Sequence, residues 1–131
     1  MLKRPPKDVN KAVTYGMHVW RLIHGEYYPF DQQKVFNLIT RAIQRGFNPA
    51  GNTRQLAAIL DSPDRTRALN TVTVPSLIIH GEDDPLVALA CGHATARAIP
   101  NAKIKVYPGM GHTIPSQLYN DIATQILEHI R

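Results

Sequence analysis

The sequence predicts an α/β fold in which a helical first half is followed by a strand–helix–strand unit and a closing helix. Three observations carry this prediction. Apolar residues recur at helical spacing in the first half from residue 9 onwards, two short β-apt runs stand in the second half, and a helical stretch separates those runs. Because a helix crossover returns the chain in the same direction, the two strands should be parallel and the crossover right-handed.

Four helices are expected in the first half, each bounded by residues that start or stop helices. Gly25 permits a C-terminal stop, and Asp31 is a good N-cap. Asn48 precedes a proline, which favours a cap followed by a first-turn proline. Residues 1–8 should be irregular, since two prolines block a helix there. The predicted helices lie at about 8–25, 31–46, 48–60 and 65–69.

The second half is expected to contain strands at 76–80 and 103–107, with helices over about 87–98 and 115–130. Leu77, Ile78 and Ile79 follow one another without a polar residue, which is typical of a strand covered on both faces. In open α/β sheets, functional residues collect where the strands end. The sequence therefore directs attention to Asp83 and Asp84, which follow the first predicted strand.

Composition excludes several classes of protein. The apolar fraction of 44% and the charged fraction of 19% are those of a globular protein. A formal charge of +5 without a nucleic-acid motif indicates a solvated basic face, and no nucleic-acid partner is expected. No signal peptide or membrane-spanning run is recognisable, so a cytoplasmic protein that does not bind membranes is expected. The basic residues near the start are Lys3, Arg4, Lys7 and Lys11.

The single cysteine and the histidines give no sign of a metal or a cofactor. Cys91 excludes an internal disulfide, and its place on an apolar helical stripe predicts a buried thiol. The histidines lack ligand spacings such as His-Glu-x-x-His, so no metal is assigned. No cofactor is expected.

Two motifs resemble the C-terminal part of α/β-hydrolase-fold esterases and related hydrolases, namely HisGlyGluAspAspProLeuVal (80–87) and GlyMetGlyHisThrIlePro (109–115). In that family an aspartate before a proline, after a late strand, is the acid of a catalytic triad. A histidine in a Gly-x-Gly-His turn after the last strand is the base. The resemblance implies that Asp84 is the catalytic acid and His112 the general base. The alternatives are a turn-capping aspartate and an ordinary loop histidine.

The resemblance also implies a domain organisation and a partial α/β-hydrolase fold. Residues 1–70 would be a helical, cap-like segment together with the helix that leads back to the sheet. Residues 71–131 would be the C-terminal βαβα part of the core, with two parallel strands. The turn LeuIleHisGly (22–25) is similar to an oxyanion His-Gly turn, but it follows a predicted helix and is interpreted as a helix C-cap. The nearby aromatic residues are interpreted either as packing residues or as a wall of an acyl pocket: Trp20, Tyr27, Tyr28 and Phe30.

The triad nucleophile has no counterpart in these 131 residues. In this fold the serine lies on a Gly-x-Ser-x-Gly elbow that precedes the acid, and Ser62, Ser76 and Ser116 all lack such glycines. The resemblance implies part of a hydrolase of carboxylic esters or related acyl bonds, inactive alone, whose serine comes from an N-terminal segment. The expected partners are a small ester-like substrate and either that segment or a second copy of the chain. The alternative is a non-catalytic remnant or interaction module from a truncated or split gene.

Overall fold

The computed structural model describes residues 8–46 and 48–131. The predicted α/β class and the predicted order of elements are confirmed, since helices fill the first half and a βαβ unit with a closing helix fills the second. Predictions about Lys3, Arg4, Pro5, Pro6 and Lys7 lie outside the described residues. The elements are α1 (Val9–His24), α2 (Gln32–Arg45), α3 (Pro49–Asp61), α4 (Thr66–Leu69), β1 (Leu77–Gly81), α5 (Leu89–Ala98), β2 (Lys103–Tyr107) and α6 (Tyr119–His129).

The chain divides into two compact units whose sequence ranges interleave. Among the described residues, the first unit (the helical unit) comprises 8–21, 31–46 and 48–63. The second (the sheet unit) comprises 22–30 and 64–131, so the last turn of α1 and the following loop group with the strands. The assignment of residues 1–70 to a cap-like segment stays a prediction.

The helical unit combines a local helix cap with packing between helices, in which Ile39 of α2 lies against Gly16 of α1. The side chain of Asp31 accepts a hydrogen bond from the Lys34 N–H at 2.9 Å, as expected of an N-cap. Asn48 precedes α3 but makes no side-chain cap bond. Ala12 and Ile39 are buried, whereas Leu60 on α3 is 78% exposed. Little apolar surface is therefore removed from water in this unit.

The sheet unit contains two parallel strands, as predicted. β1 pairs with β2 from Leu77 opposite Lys103 to Gly81 opposite Tyr107. Because the strands run in the same direction and end in register, the segments that follow them begin side by side at one edge of the sheet. The two candidate residues, Asp84 and His112, belong to those two segments.

A small apolar core supports this edge. Tyr107, Met110 and Ile122 are buried together, so the end of β2, the segment after it and α6 pack against one another. The Tyr107 hydroxyl donates a hydrogen bond to Asp121 Oδ2 at 2.7 Å. Burial, followed by the bond to the Asp121 carboxylate, raises the pKa of Tyr107 to about 12. Partly buried side chains complete the cluster: Tyr28, Ile79 and Leu118.

Two predicted helix starts shift in the structure. α5 begins at Leu89 instead of 87, because hydrogen bonds to the Asp84 side chain hold the preceding residues in a turn. The closing helix begins with a 3₁₀ turn, in which the Leu118 N–H donates to the Pro115 carbonyl.

The prediction for Cys91 was wrong, since this residue is exposed. The buried residues of α5 are instead Gly92 and Ala98.

Within residues 8–46 and 48–131, no helix is long and apolar enough to cross a lipid bilayer.

Candidate active site

The aspartate turn, residues 82–87, follows β1 and presents Asp84. One carboxylate oxygen, Oδ1, accepts hydrogen bonds from the N–H groups of Leu86 at 2.8 Å and Val87 at 2.9 Å. These bonds fold the turn around the carboxylate, as short polar side chains do in Asx turns. The second oxygen, Oδ2, is thereby left to face another segment of the chain.

The histidine loop, residues 109–113, follows β2 and lies against the aspartate turn. The Asp83 N–H donates to the Met110 carbonyl at 3.0 Å, so the backbones of the two segments are joined directly. Gly81 makes this approach feasible, because a Cβ at that position would lie 2.2 Å from the Met110 oxygen. Gly109 adopts a φ of +73°, a left-handed conformation that suits glycine.

The two loops bring Asp84 and His112 into contact. His112 Nδ1 lies 2.8 Å from Asp84 Oδ2, although the residues are 28 positions apart. A carboxylate can only accept a hydrogen bond, so Nδ1 carries the proton in the neutral ring and Nε2 keeps a free lone pair. The Asp84 side chain is 6% exposed and that of His112 is 39% exposed. The ring is therefore held on one side and accessible on the other.

The electrostatics of Asp84 favour the carboxylate form. Burial raises the pKa of its carboxyl, since desolvation disfavours charge. The net pKa of Asp84 is nevertheless lowered, because hydrogen bonds and a nearby charge outweigh burial. The hydrogen bonds come from the Val87 N–H, the His112 ring and the Leu86 N–H, and the charge is that of the His112 ring. The site thus contains an ionised carboxylate that orients an imidazole.

His80, at the end of β1, also supports the aspartate turn, a role that sequence reasoning missed. Its Nε2 donates to the Val87 carbonyl at 2.9 Å and lies 3.9 Å from Asp84 Oδ2. Its ring packs against Gly92, where a Cβ would lie 2.7 Å from Nδ1. The spacing of four residues between His80 and Asp84 is the signal that could have indicated this contact.

The other candidate residues, Asp83 and the three serines, have different surroundings from Asp84 and His112. Asp83 is exposed and contributes its backbone N–H. The serines occupy ordinary helix and strand ends: Ser62 caps α3, Ser76 precedes β1 and Ser116 begins the 3₁₀ turn. In the part of the chain that the structure describes, no three His, Cys, Asp or Glu side chains group in a way that could bind a metal.

Of the aromatic residues, Tyr28 contacts the buried core and Tyr27 is 74% exposed. The Tyr27 ring covers Gly109, where a Cβ would meet it at 2.4 Å. Gly25 follows α1 with a φ of +86°, which agrees with a helix C-cap at the LeuIleHisGly turn.

Comparison with known proteins gives the family. Residues 51–130 match the phospholipase/carboxylesterase family. Rhodomycin D methylesterase DnrP of Streptomyces peucetius is 27% identical across the whole of this chain, which covers 44% of that protein. The non-heme chloroperoxidase CPO-A1 of Kitasatospora aureofaciens is 44% identical over 52 residues, which are 39% of this chain and 19% of that protein.

A solved structure gives the fold. The crystal structure of the esterase RhEst1 from Rhodococcus sp. ECU1013 superimposes with a TM-score of 0.61 at 19% sequence identity, over 95% of this chain and 44% of that one. This chain thus spans less than half the length of each of these three proteins. The prediction of a partial α/β-hydrolase fold is confirmed, and the chain belongs to the phospholipase/carboxylesterase family.

Proposed function

We propose that this chain supplies the acid and the base of a serine hydrolase that cleaves carboxylic esters or related acyl bonds. The observation that carries the proposal is the 2.8 Å hydrogen bond between His112 Nδ1 and Asp84 Oδ2, at the end of two adjacent parallel strands. Membership of a carboxylesterase family and similarity to a methylesterase support ester cleavage. The substrate class is a small ester.

Each residue has a defined part in the proposed reaction. His112 Nε2 accepts the proton of a serine hydroxyl as the serine oxygen attacks the ester carbonyl. Asp84 holds the ring in its Nδ1–H tautomer and stabilises the imidazolium that forms. The imidazolium then returns its proton to the departing alcohol. The serine is left acylated. A water molecule then gives a proton to the same Nε2 as its oxygen attacks the acyl carbon. The bond to the serine oxygen breaks, the carboxylic acid leaves, and the imidazolium returns the proton to the serine.

The serine is proposed to come from polypeptide outside these 131 residues, in the same gene product or in a separate chain. No serine of the sequence stands in a Gly-x-Ser-x-Gly setting, so Asp84 and His112 have no nucleophile of the family type to activate. We therefore expect the 131-residue chain to be inactive alone. Among the described residues the sheet has two strands, so each strand has an outer edge that no described strand pairs with. Association with the serine-bearing segment or with a second copy is therefore part of the proposal.

One experiment tests the proposal in two steps. The chain alone should hydrolyse p-nitrophenyl acetate no faster than buffer containing an equal concentration of imidazole. If the upstream DNA encodes a strand, a Gly-x-Ser-x-Gly elbow and a helix, co-expression with that segment should restore hydrolysis. In the restored enzyme, Asp84→Asn should lower kcat by about 10⁴-fold and His112→Ala by about 10⁶-fold. His93→Ala, on α5, is the matched control and should leave kcat unchanged.

Two results would contradict this function. Hydrolysis by the chain alone that His112→Ala abolishes would mean that the nucleophile lies within these residues. Failure of the elbow-bearing segment to restore hydrolysis would favour the alternative, a non-catalytic remnant or interaction module. That alternative has one specific observation on its side, namely the absence of an elbow serine from the sequence.

A further inference from the structure

The segment 22–30 ends α1 and groups with the sheet unit instead of the helical unit. The last carbonyls of a helix lack partners within the helix. Here those of Ile23 and His24 accept hydrogen bonds from the histidine loop, with His112 N–H to Ile23 O at 2.7 Å and Gly111 N–H to His24 O at 3.2 Å. The end of α1 therefore binds the backbone of the residue that carries the candidate base.

The His24 ring makes a second attachment to the same loop. His24 is buried, with 7% of its surface exposed, and its Nδ1 lies 2.6 Å from Thr113 Oγ1. Its Nε2 lies 3.2 Å from the Tyr28 carbonyl, which can only accept. The neutral ring therefore carries its proton on Nε2, and the Thr113 hydroxyl donates to Nδ1. Every polar atom of this buried ring is used within the segment and the loop.

Glycines permit this close packing. A Cβ at Gly111 would lie 2.4 Å from the His24 carbonyl oxygen, so no larger residue fits without displacing backbone. Gly25, with its φ of +86°, turns the chain away directly after the ring and would meet Gly111 N–H at 3.2 Å if it carried a Cβ. A glycine on each side, Gly25 and Gly111, therefore allows the backbone of the α1 end and that of the histidine loop to approach closely.

These attachments surround His112 without touching its ring. Residue 111 is held by its N–H, residue 112 by its N–H and residue 113 by its side chain. The imidazole of His112 is the part of this stretch that remains to contact Asp84. We propose that His24, through Thr113, is a positioning residue that keeps the His112 ring in register with Asp84. This inference rests on the proposed function of His112 as the base.

The test is spectroscopic and needs no catalytic serine. Long-range ¹H–¹⁵N spectra of the imidazole rings report which nitrogen carries the proton. They are recorded near pH 8.5, about two units above the reference histidine pKa of about 6.5. The His112 signals are assigned by their loss in His112→Ala. The wild-type chain should show His112 as the Nδ1–H tautomer, and Asp84→Asn should remove that preference.

Matched pairs of variants then isolate the contribution of His24. Thr113→Val removes the hydroxyl at nearly constant shape and should lower the ratio of Nδ1–H to Nε2–H tautomer in His112 about tenfold, equivalent to about 1.4 kcal/mol. Thr113→Ser keeps the hydroxyl and should retain the wild-type ratio. His24→Leu should match Thr113→Val, and His24→Asn, whose amide can reach Thr113, should restore most of the ratio. His129→Asn, a histidine in α6, is the control.

The outcomes separate the two proposals. If Asp84→Asn leaves the His112 signals unchanged, the proposed acid–base pair itself is wrong. If Asp84→Asn changes them while folded Thr113→Val does not, only the positioning role of His24 is overturned. Should His24→Leu fail to fold, the Thr113→Val and Thr113→Ser pair decides. Unfolding of Thr113→Val as well, with the other histidine signals also displaced, would assign the contact a purely structural role and overturn the inference.

Discussion

The two units of this chain obtain their order in different ways. In the sheet unit, distant segments bind one another through the backbone, as in the bonds from Asp83 to Met110 and from His112 to Ile23. In the helical unit, side-chain hydrogen bonds join residues three or four positions apart, as in the Asp31 cap of α2. Asp84 and His112, 28 residues apart, reach hydrogen-bond distance because long-range backbone contacts hold both of their loops. A helix, by contrast, forms its backbone hydrogen bonds between residues four positions apart.

The largest expected effect comes from filling the gap between the two loops of the sheet unit. Gly81→Ala would place a Cβ 2.2 Å from the Met110 oxygen and 2.3 Å from the Gly111 oxygen. Because both atoms belong to backbone, the loops must separate, and we expect the free energy of unfolding to fall by about 3 kcal/mol. Urea denaturation followed by circular dichroism measures the change, and the His112 tautomer should change with it.

Gly46→Ala, in the helical unit, is the matched control for Gly81→Ala. A Cβ there meets no described atom within 4 Å, so its effect on stability should be within about 0.5 kcal/mol. Equal effects of the two substitutions would show that the close approach at Gly81 does not determine the stability of the sheet unit.

A smaller effect is expected from the charge of Asp84. Its pKa is lowered in the folded chain, so its stabilising contribution is present above the unfolded-state pKa of about 3.9 and is lost as the pH falls through the lowered value. Asp84→Asn should therefore lower stability at pH 7 by about 2 kcal/mol, the range for hydrogen bonds to a charged group. It should also flatten the decline of stability between pH 5 and the acid limit.

Chemical denaturation at several pH values tests this prediction. Asp83→Asn is the matched control, because the neighbouring Asp83 is exposed. The bonds from the Leu86 and Val87 N–H groups go to Asp84. A parallel pH dependence in wild-type and Asp84→Asn would mean that the hydrogen bonds to Asp84 do not favour its ionised form.

The smallest effect should come from the helical unit. Asp31→Ala removes the side-chain bond to the Lys34 N–H, and we expect a loss of about 1 kcal/mol of stability. Asn48→Ala is the control at the start of α3, where no side-chain cap bond exists, and its cost should be smaller. Helicity and the denaturation midpoint measure both changes. A change in the His112 tautomer on Asp31→Ala would contradict the local character of this cap.

Much of the fold could be predicted because its signals are local. Helical periodicity and the Asp31 cap located α2, and short β-apt runs located both strands. The prediction for Cys91 failed because apolar spacing alone does not show which face of α5 turns inward. In the structure the face that contains Gly92 turns inward, because Gly92 leaves room for the His80 ring.

The sequence alone determined the α/β class, the parallel pair of strands and the two motifs that contain Asp84 and His112, because each depends on residues close together along the chain. Two contacts emerged with the folded structure: His24 binds Thr113, 89 positions away, and His80 supports the aspartate turn. No local pattern encodes long-range contacts such as the one between His24 and Thr113. They arise when glycine-lined backbones approach closely enough for buried polar groups to find partners in other segments.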